Sequence, residues 1–85
     1  MMKTCELVYT RRAADDVAGL DALARKRIAR KIIMLREDPA GKSRKLINPR
    51  IGQYRFRIGD MRVIFDLHGL KVIVLRVGNR REVYR

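Results

Sequence analysis

The stretch from Gln53 to Asp66 constrains the fold more than any other part of the chain. Its first arm, Gln53-Tyr54-Arg55-Phe56-Arg57-Ile58, and its second, Met61-Arg62-Val63-Ile64-Phe65-Asp66, flank Gly59-Asp60. Strand side chains alternate between faces, so Tyr54, Phe56 and Ile58 share one face while Arg55 and Arg57 point the other way. A two-residue Gly59-Asp60 turn sets Ile58 opposite Met61 and Arg57 opposite Arg62. Three guanidiniums then lie together. Like charges directly opposite each other destabilise a sheet, so this pairing implies an anion that the chain itself does not supply.

The rest of the chain supplies elements to pack against that hairpin. Thr4 to Thr10 reads as a short opening strand with Cys5, Leu7 and Tyr9 on one side. Thr10 is placed to cap a helix whose apolar stripe is Ala13, Ala14, Val17 and Leu20. Asp21 is a second cap, before a longer helix from Ala22 to about Glu37 in which Ala24, Ile28, Ile32 and Leu35 recur at three- and four-residue intervals. Pro39 stops it. Between Ala40 and Gly52 the chain has no clear period, and Leu46 and Ile47 are expected to tuck inward as an anchor. Lys42, Arg44, Lys45 and Arg50 in this segment either extend an anion-binding surface or form a solvated basic loop.

A second turn is marked by His68-Gly69, followed by a third long strand from Lys71 to Val77. A two-residue turn would put Arg76 opposite Met61, on the Phe56 face, which is poor for a charge. A three-residue loop, His68-Gly69-Leu70, would set Arg76 opposite Arg62 and is the preferred register. With Ile64 among the arginines, their face is expected to be partly apolar and partly covered.

Charge is distributed unevenly over this plan. Of 21 basic and 9 acidic side chains, residues 1–41 hold nine and six, whereas residues 42–85 hold twelve and three. A net +12 concentrated with the hairpins favours a polyanionic partner: nucleic acid, an acidic membrane surface or an acidic protein. With 47% hydrophobic residues in 85, the chain reads as one small folded domain, 1–85, and not a disordered basic tail. A single Cys5 rules out an intrachain disulfide and is read as a small core residue; one Cys and one His give no metal-ligand spacing. No apolar stretch is long enough for a signal peptide or membrane span, so a cytoplasmic location is expected.

The run from Tyr54 to Phe65, the strand Lys71 to Arg80 containing Val77-Gly78-Asn79-Arg80, and the closing Arg81-Glu82-Val83-Tyr84 resemble the RelE/ParE toxin superfamily, the closing part looking more like its RelE branch. The resemblance covers nearly the whole chain. It implies an α+β fold: an N-terminal strand, a two-helix hairpin packed on a mainly antiparallel sheet, and a three-stranded C-terminal meander. RelE-like proteins are toxins of type II toxin–antitoxin systems, ribosome-dependent endoribonucleases that cut messenger RNA in the A site and are held inactive by a cognate antitoxin, expected here to be acidic. Carried onto this chain, the family's first basic pair falls at Arg55 and Arg57, its next arginine at Arg62, the one after the Val77-Gly78 turn at Arg80, and its late tyrosine at Tyr84. Many members have lysines where Arg55 and Arg57 stand, and some have a helix after the tyrosine.

Such a site needs no cofactor or metal if the protein supplies the charge. RNA carries its own nucleophile, the 2′-hydroxyl. Arginine's planar fork can hold two phosphate oxygens at once, and its charge matters most as negative charge grows in the transition state. Arg57, Arg62, Arg80 and Tyr84 are therefore the candidate catalytic residues, with Lys42, Arg44, Lys45, Arg50, Arg55, Arg76 and Arg81 as candidate RNA contacts. Tyr84 either serves as a base, its phenolate favoured by Arg80 and Arg81, or stacks on a nucleobase. Two rival functions stand beside this one: a ParE-like toxin that inhibits DNA gyrase without catalysis, which would leave Arg80 and Tyr84 without a joint chemical role, and a plain nucleic-acid-binding module.

Overall fold

The computed structural model describes residues 4–46 and 50–83. The elements run β1 (Glu6–Tyr9), α1 (Arg11–Ala18), α2 (Ala22–Met34), β2 (Arg44–Lys45), β3 (Tyr54–Ile58), β4 (Met61–His68), β5 (Lys71–Asn79) and α3 (Arg80–Val83). Both expected caps form. The Thr10 hydroxyl accepts the Ala13 N–H at 3.1 Å, and Asp21 Oδ1 accepts that of Ala24 at 2.8 Å. Each satisfies an amide that the first helical turn leaves without a partner. The second helix ends at Met34, three residues before the expected Glu37. There the amides of Leu35 and Arg36 bond to the carbonyls three residues back, tightening the last turn. Arg36 then leaves the helix to join β1: its carbonyl accepts the Cys5 N–H at 2.7 Å, and its Nε donates to the Cys5 carbonyl at 2.9 Å.

Five strands form one sheet in the order β1-β5-β4-β3-β2. The expected three-stranded meander is its centre, β2 adds an edge, and β1 docks parallel to β5 with Leu7 opposite Val72. The two helices cover one face. Their Ala13, Ile28, Ile32 and Leu35 form a single buried cluster with Cys5, Ile58, Val63, Phe65, Val72, Val74 and Val77. The Tyr54 and Phe65 rings stack within it at 5.4 Å. Burying a Phe or Ile side chain in this way contributes about 1.5–3 kcal/mol before entropy is counted. Ala14, expected in the stripe, is exposed because α1 turns only one narrow edge toward the sheet.

The first hairpin has the expected register, with Arg57 opposite Arg62 and Ile58 opposite Met61. The second has neither of the registers considered. Gly69, at φ 60°, opens the turn with a conformation that side-chain-bearing residues rarely adopt, so His68 stays in the strand and pairs with Lys71. That pairing, carried straight on, would bring Arg76 opposite the fully buried Val63. Instead the register slips by one between Phe65–Val74 and Ile64–Arg76, with Leu75 as the extra residue. The bulge takes the guanidinium out of the core and returns Val77 to Val63. Beyond Tyr9, β5 has no strand neighbour on its outer side, and α1 takes over: Asp16 Oδ2 accepts both Arg76 Nε at 2.8 Å and the Val77 N–H at 2.9 Å. Val77-Gly78, expected as a turn, lies inside β5, since the pairing continues to Met61–Asn79.

On the opposite face, Ile64 and Val83 are buried outside the helix-side cluster. α3 packs there on β4 and β5. The segment before β3 is tied down as well: Asp66 Oδ1 accepts the Gln53 N–H at 2.8 Å, and Gln53 Oε1 accepts that of Leu67 at 2.9 Å. At Gly52, φ is 155°, and a Cβ would stand 2.5 Å from Ile64 Cγ2 and 3.0 Å from Leu75 Cδ1. Gly52→Ala should therefore destabilise the chain by about 1–3 kcal/mol, read as a lower urea midpoint with an unchanged slope. Gly19→Ala is the control. Its φ is −79° and its new Cβ would meet only backbone oxygens at 3.6 Å, so its midpoint should stay or rise.

Candidate nucleic-acid interface

Two neighbouring rungs of the sheet carry the arginines. One is Arg57–Arg62–Gly78, where β5 contributes no side chain; the next is Arg44–Arg55–Ile64–Arg76. Around the first lies an open cleft of ≈440 Å³ lined by Arg57, Gly59, Asp60, Arg62, Asn79 and Arg81. Around the β2 side of the second lies another of ≈340 Å³, lined by Gly41, Lys42, Ser43, Arg44, Arg55 and Arg57. Arg57 lines both, so the two form one basic trough across the β2–β3–β4 edge. Asp60 is the sole acidic residue in either lining.

The hydrogen bonding of this trough is incomplete. Among the described residues, two buried side-chain polar atoms have no partner, Ser43 Oγ and Arg62 Nε, and one lies in each cleft. Arg62 Nη1 donates to the Asp60 carbonyl at 3.3 Å, which does nothing for the buried Nε. A buried donor without an acceptor costs about 1–3 kcal/mol, and Arg57 directly opposite adds repulsion. An anion seated between them, with the Arg62 side chain adjusting to present Nε to it, would relieve both. A roomier hollow, ≈650 Å³, lies elsewhere, along α2 between Leu23, Arg27, Lys31 and Met61. Neither unpartnered atom lines it, and the smaller basic clefts are the better candidates.

The residues singled out from sequence separate into groups. Arg57, Arg62 and Arg81 meet in one cleft, and Lys42, Arg44, Arg55 and Arg57 in the other. Lys42 also bonds through Nζ to the Met34 carbonyl at 2.9 Å, where its charge complements the α2 C-terminus. Lys45 pairs opposite Tyr54 on β2, and Arg50 is exposed; neither lines a cleft. Arg76 stands apart. It was expected opposite Arg62, but the bulge sets it opposite Ile64 and in an ion pair with Asp16, with both side chains mostly buried. Arg80 opens α3, at the end of the β5 strand that flanks the Arg62 cleft; its side chain, Tyr84 and Ile47 lie outside the described residues. Ile64, expected to make the arginine face partly apolar and partly covered, is 0% exposed before any partner binds, because Gly52 and α3 cover it. Sequence reasoning missed Ser43 and Asn79 as cleft residues. Asn79 had a signal, its place directly before Arg80; Ser43 had none beyond its basic neighbours.

This geometry can be set beside known proteins. The family model described as the ParE toxin of the type II toxin–antitoxin system, parDE, matches residues 7–84. The chain belongs to that family. Its fold recurs in solved RelE-type toxins. The RelBE2 toxin–antitoxin complex of Mycobacterium tuberculosis superposes with a TM-score of 0.82 at 20% identity, covering 91% of this chain and 99% of that one. Isolated Escherichia coli RelE gives 0.75 at 23% identity, with 94% and 90% covered. The archaeal RelE–RelB complex of Pyrococcus horikoshii gives 0.74 at 20%, with 93% and 98% covered. No curated protein sequence matches the chain significantly. The RelE/ParE resemblance and its α+β architecture therefore hold, and the protein is a toxin-family member. Among the described residues no group of three or more His, Cys, Asp or Glu side chains could hold a metal ion, and no helix is long and apolar enough to cross a membrane.

Proposed function

We propose that this chain is the toxin of a type II toxin–antitoxin pair and acts as a ribosome-dependent endoribonuclease on messenger RNA. One observation carries the reading: a buried, unpartnered arginine nitrogen, Arg62 Nε, in a cleft that brings Arg57, Arg62 and Arg81 together. Such a cleft suits a phosphodiester whose charge grows during reaction. In the proposed step the 2′-oxygen bonds to the adjacent phosphorus and the bond from phosphorus to the 5′-oxygen breaks. The 2′-hydroxyl proton leaves to a base, and the departing 5′-oxygen gains a proton. Arg57 and Arg62 hold the non-bridging oxygens, and Arg80, the residue after the cleft's Asn79, is the third clamp in this reading. None of them is the base, since an arginine pKa lies above about 12. Tyr84 either takes the proton or stacks on a base and leaves the work to orientation and electrostatics.

The regulator in this reading is a cognate acidic antitoxin. Support comes from the family description and from solved relatives that are toxin–antitoxin complexes, together with the surplus of positive charge in residues 42–85. Because Ile64 is already covered, such a partner would mask the arginine trough through charge and not by packing on Ile64.

A second reading has its own support: the matching family model is that of ParE, and a ParE-like toxin would bind DNA gyrase without cutting RNA. Induction of the chain in cells followed by primer extension on abundant messages separates the two. The ribonuclease reading expects new 5′ ends within codons and gyrase supercoiling at the parent rate. Intact messages with blocked supercoiling would replace it with the gyrase reading.

A further inference from the structure

Ser43 is a half-buried residue whose hydroxyl oxygen is enclosed. Its hydroxyl oxygen has no partner, yet the turn that holds it is complete without it. Asp38 Oδ1 accepts the Gly41 N–H at 3.1 Å, the Asp38 carbonyl accepts that of Lys42 at 3.2 Å, and the Ala40 carbonyl accepts that of Ser43 at 3.3 Å. A serine in a turn ordinarily bonds its hydroxyl to a nearby backbone group. Here the amides of Gly41, Lys42 and Ser43 itself are already taken. The residue borders the ≈340 Å³ cleft with Lys42, Arg44, Arg55 and Arg57, whose lining contains no carboxylate.

We infer that this cleft is a second phosphate subsite, in which the Ser43 hydroxyl, turned into the cleft by rotation about its Cα–Cβ bond, donates to a non-bridging oxygen of a phosphodiester neighbouring the one held at Arg57 and Arg62. Arg44 and Arg57 supply the charge. The identity of the ligand as single-stranded RNA rests on the ribonuclease reading above; the position of its next phosphate rests on the cleft. Arg57 lines both hollows, and β2 and β4 lie two inter-strand spacings apart, about 10 Å, on either side of β3. One strand of RNA can therefore engage both without leaving the trough. A hydroxyl adds what long cationic side chains lack: a short, fixed donor that sets where along the strand the phosphate stops, and so which bond lies over Arg62.

The test uses the full chain as parent, Ser43→Ala and Ser43→Thr, bound to a ribosome-held message with a 2′-O-methyl group at the cut position. One phosphate at a time is replaced by an uncharged methylphosphonate. The parent should be sensitive at two positions, the phosphate at the cut and one neighbour. Ser43→Ala should bind about five- to tenfold more weakly, lose sensitivity at the neighbour alone, and melt no lower than the parent, because it removes an unsatisfied group. Ser43→Thr should restore both affinity and sensitivity. A parent sensitive only at the cut, or a Ser43→Ala variant with parent affinity, overturns the subsite and leaves the ribonuclease reading standing. A Ser43→Ala variant that melts lower and binds every message equally worse shows a structural serine and also overturns it. A parent insensitive at every position overturns the subsite and the ribonuclease reading together.

Discussion

Arg62→Ala is expected to cut a ribosome-bound message about a hundredfold more slowly, or worse, in a single turnover, while its affinity for that message falls by less than about tenfold. The reason is where the charge is needed. In the ground state the phosphate carries one negative charge, and Arg57 still faces it after the substitution. In the transition state that charge grows and spreads over oxygens that a second fork would hold. The same variant should melt no lower than the parent, since the substitution removes a buried Nε without a partner and a guanidinium facing Arg57 across the strand pair. Loss of rate with no loss of stability is the pattern of a group kept for function. Arg44→Ala is the contrast. As a backbone phosphate contact it should weaken binding to all messages alike and flatten the salt dependence, with the bound rate kept. Lys42 serves this purpose less well, because its bond to the Met34 carbonyl mixes folding into the result. If Arg62→Ala and Arg80→Ala both cut at the parent rate, the trough is not where the chemistry occurs.

The parts of this fold that were legible in the sequence are those decided within a few residues. Alternation around Gly59-Asp60 placed Arg57 opposite Arg62, and the caps at Thr10 and Asp21 are bonds reaching three residues forward. What escaped depends on distant partners. The bulge at Leu75 exists because Arg76 cannot face Val63 and because Asp16, sixty residues earlier, waits at the β5 edge. The parallel docking of β1 is likewise fixed by the far end of the chain, and the burial of Ile64 follows from Gly52 having no side chain and from α3 folding back. The site divides in the same way. Its arginine pair was visible as a conflict between like charges, whereas Ser43 became conspicuous only once its turn was seen to be satisfied without it.

A single 2′-deoxy substitution on the nucleotide before the scissile phosphate should abolish cutting at that phosphate, while the arginine trough binds the altered message almost as before. The asymmetry follows from the chemistry. The trough recognises charge and phosphate geometry, which the substitution leaves intact, but the attacking oxygen belongs to the RNA and is now missing. Unmodified message, cut in a parallel reaction, should give a 2′,3′-cyclic phosphate, or the 3′-phosphate from its opening, on one product and a free 5′-hydroxyl on the other. The chain's own contribution is then positioning and charge, so addition of a chelator at a concentration that leaves the ribosome intact should not change the rate. Cleavage of the deoxy substrate, or a product bearing a 5′-phosphate, would mean that water attacks instead. Water at neutral pH needs an activating group of a kind that arginines cannot provide, and a metal-assisted route would then have to replace the one built on Arg57, Arg62 and Arg80.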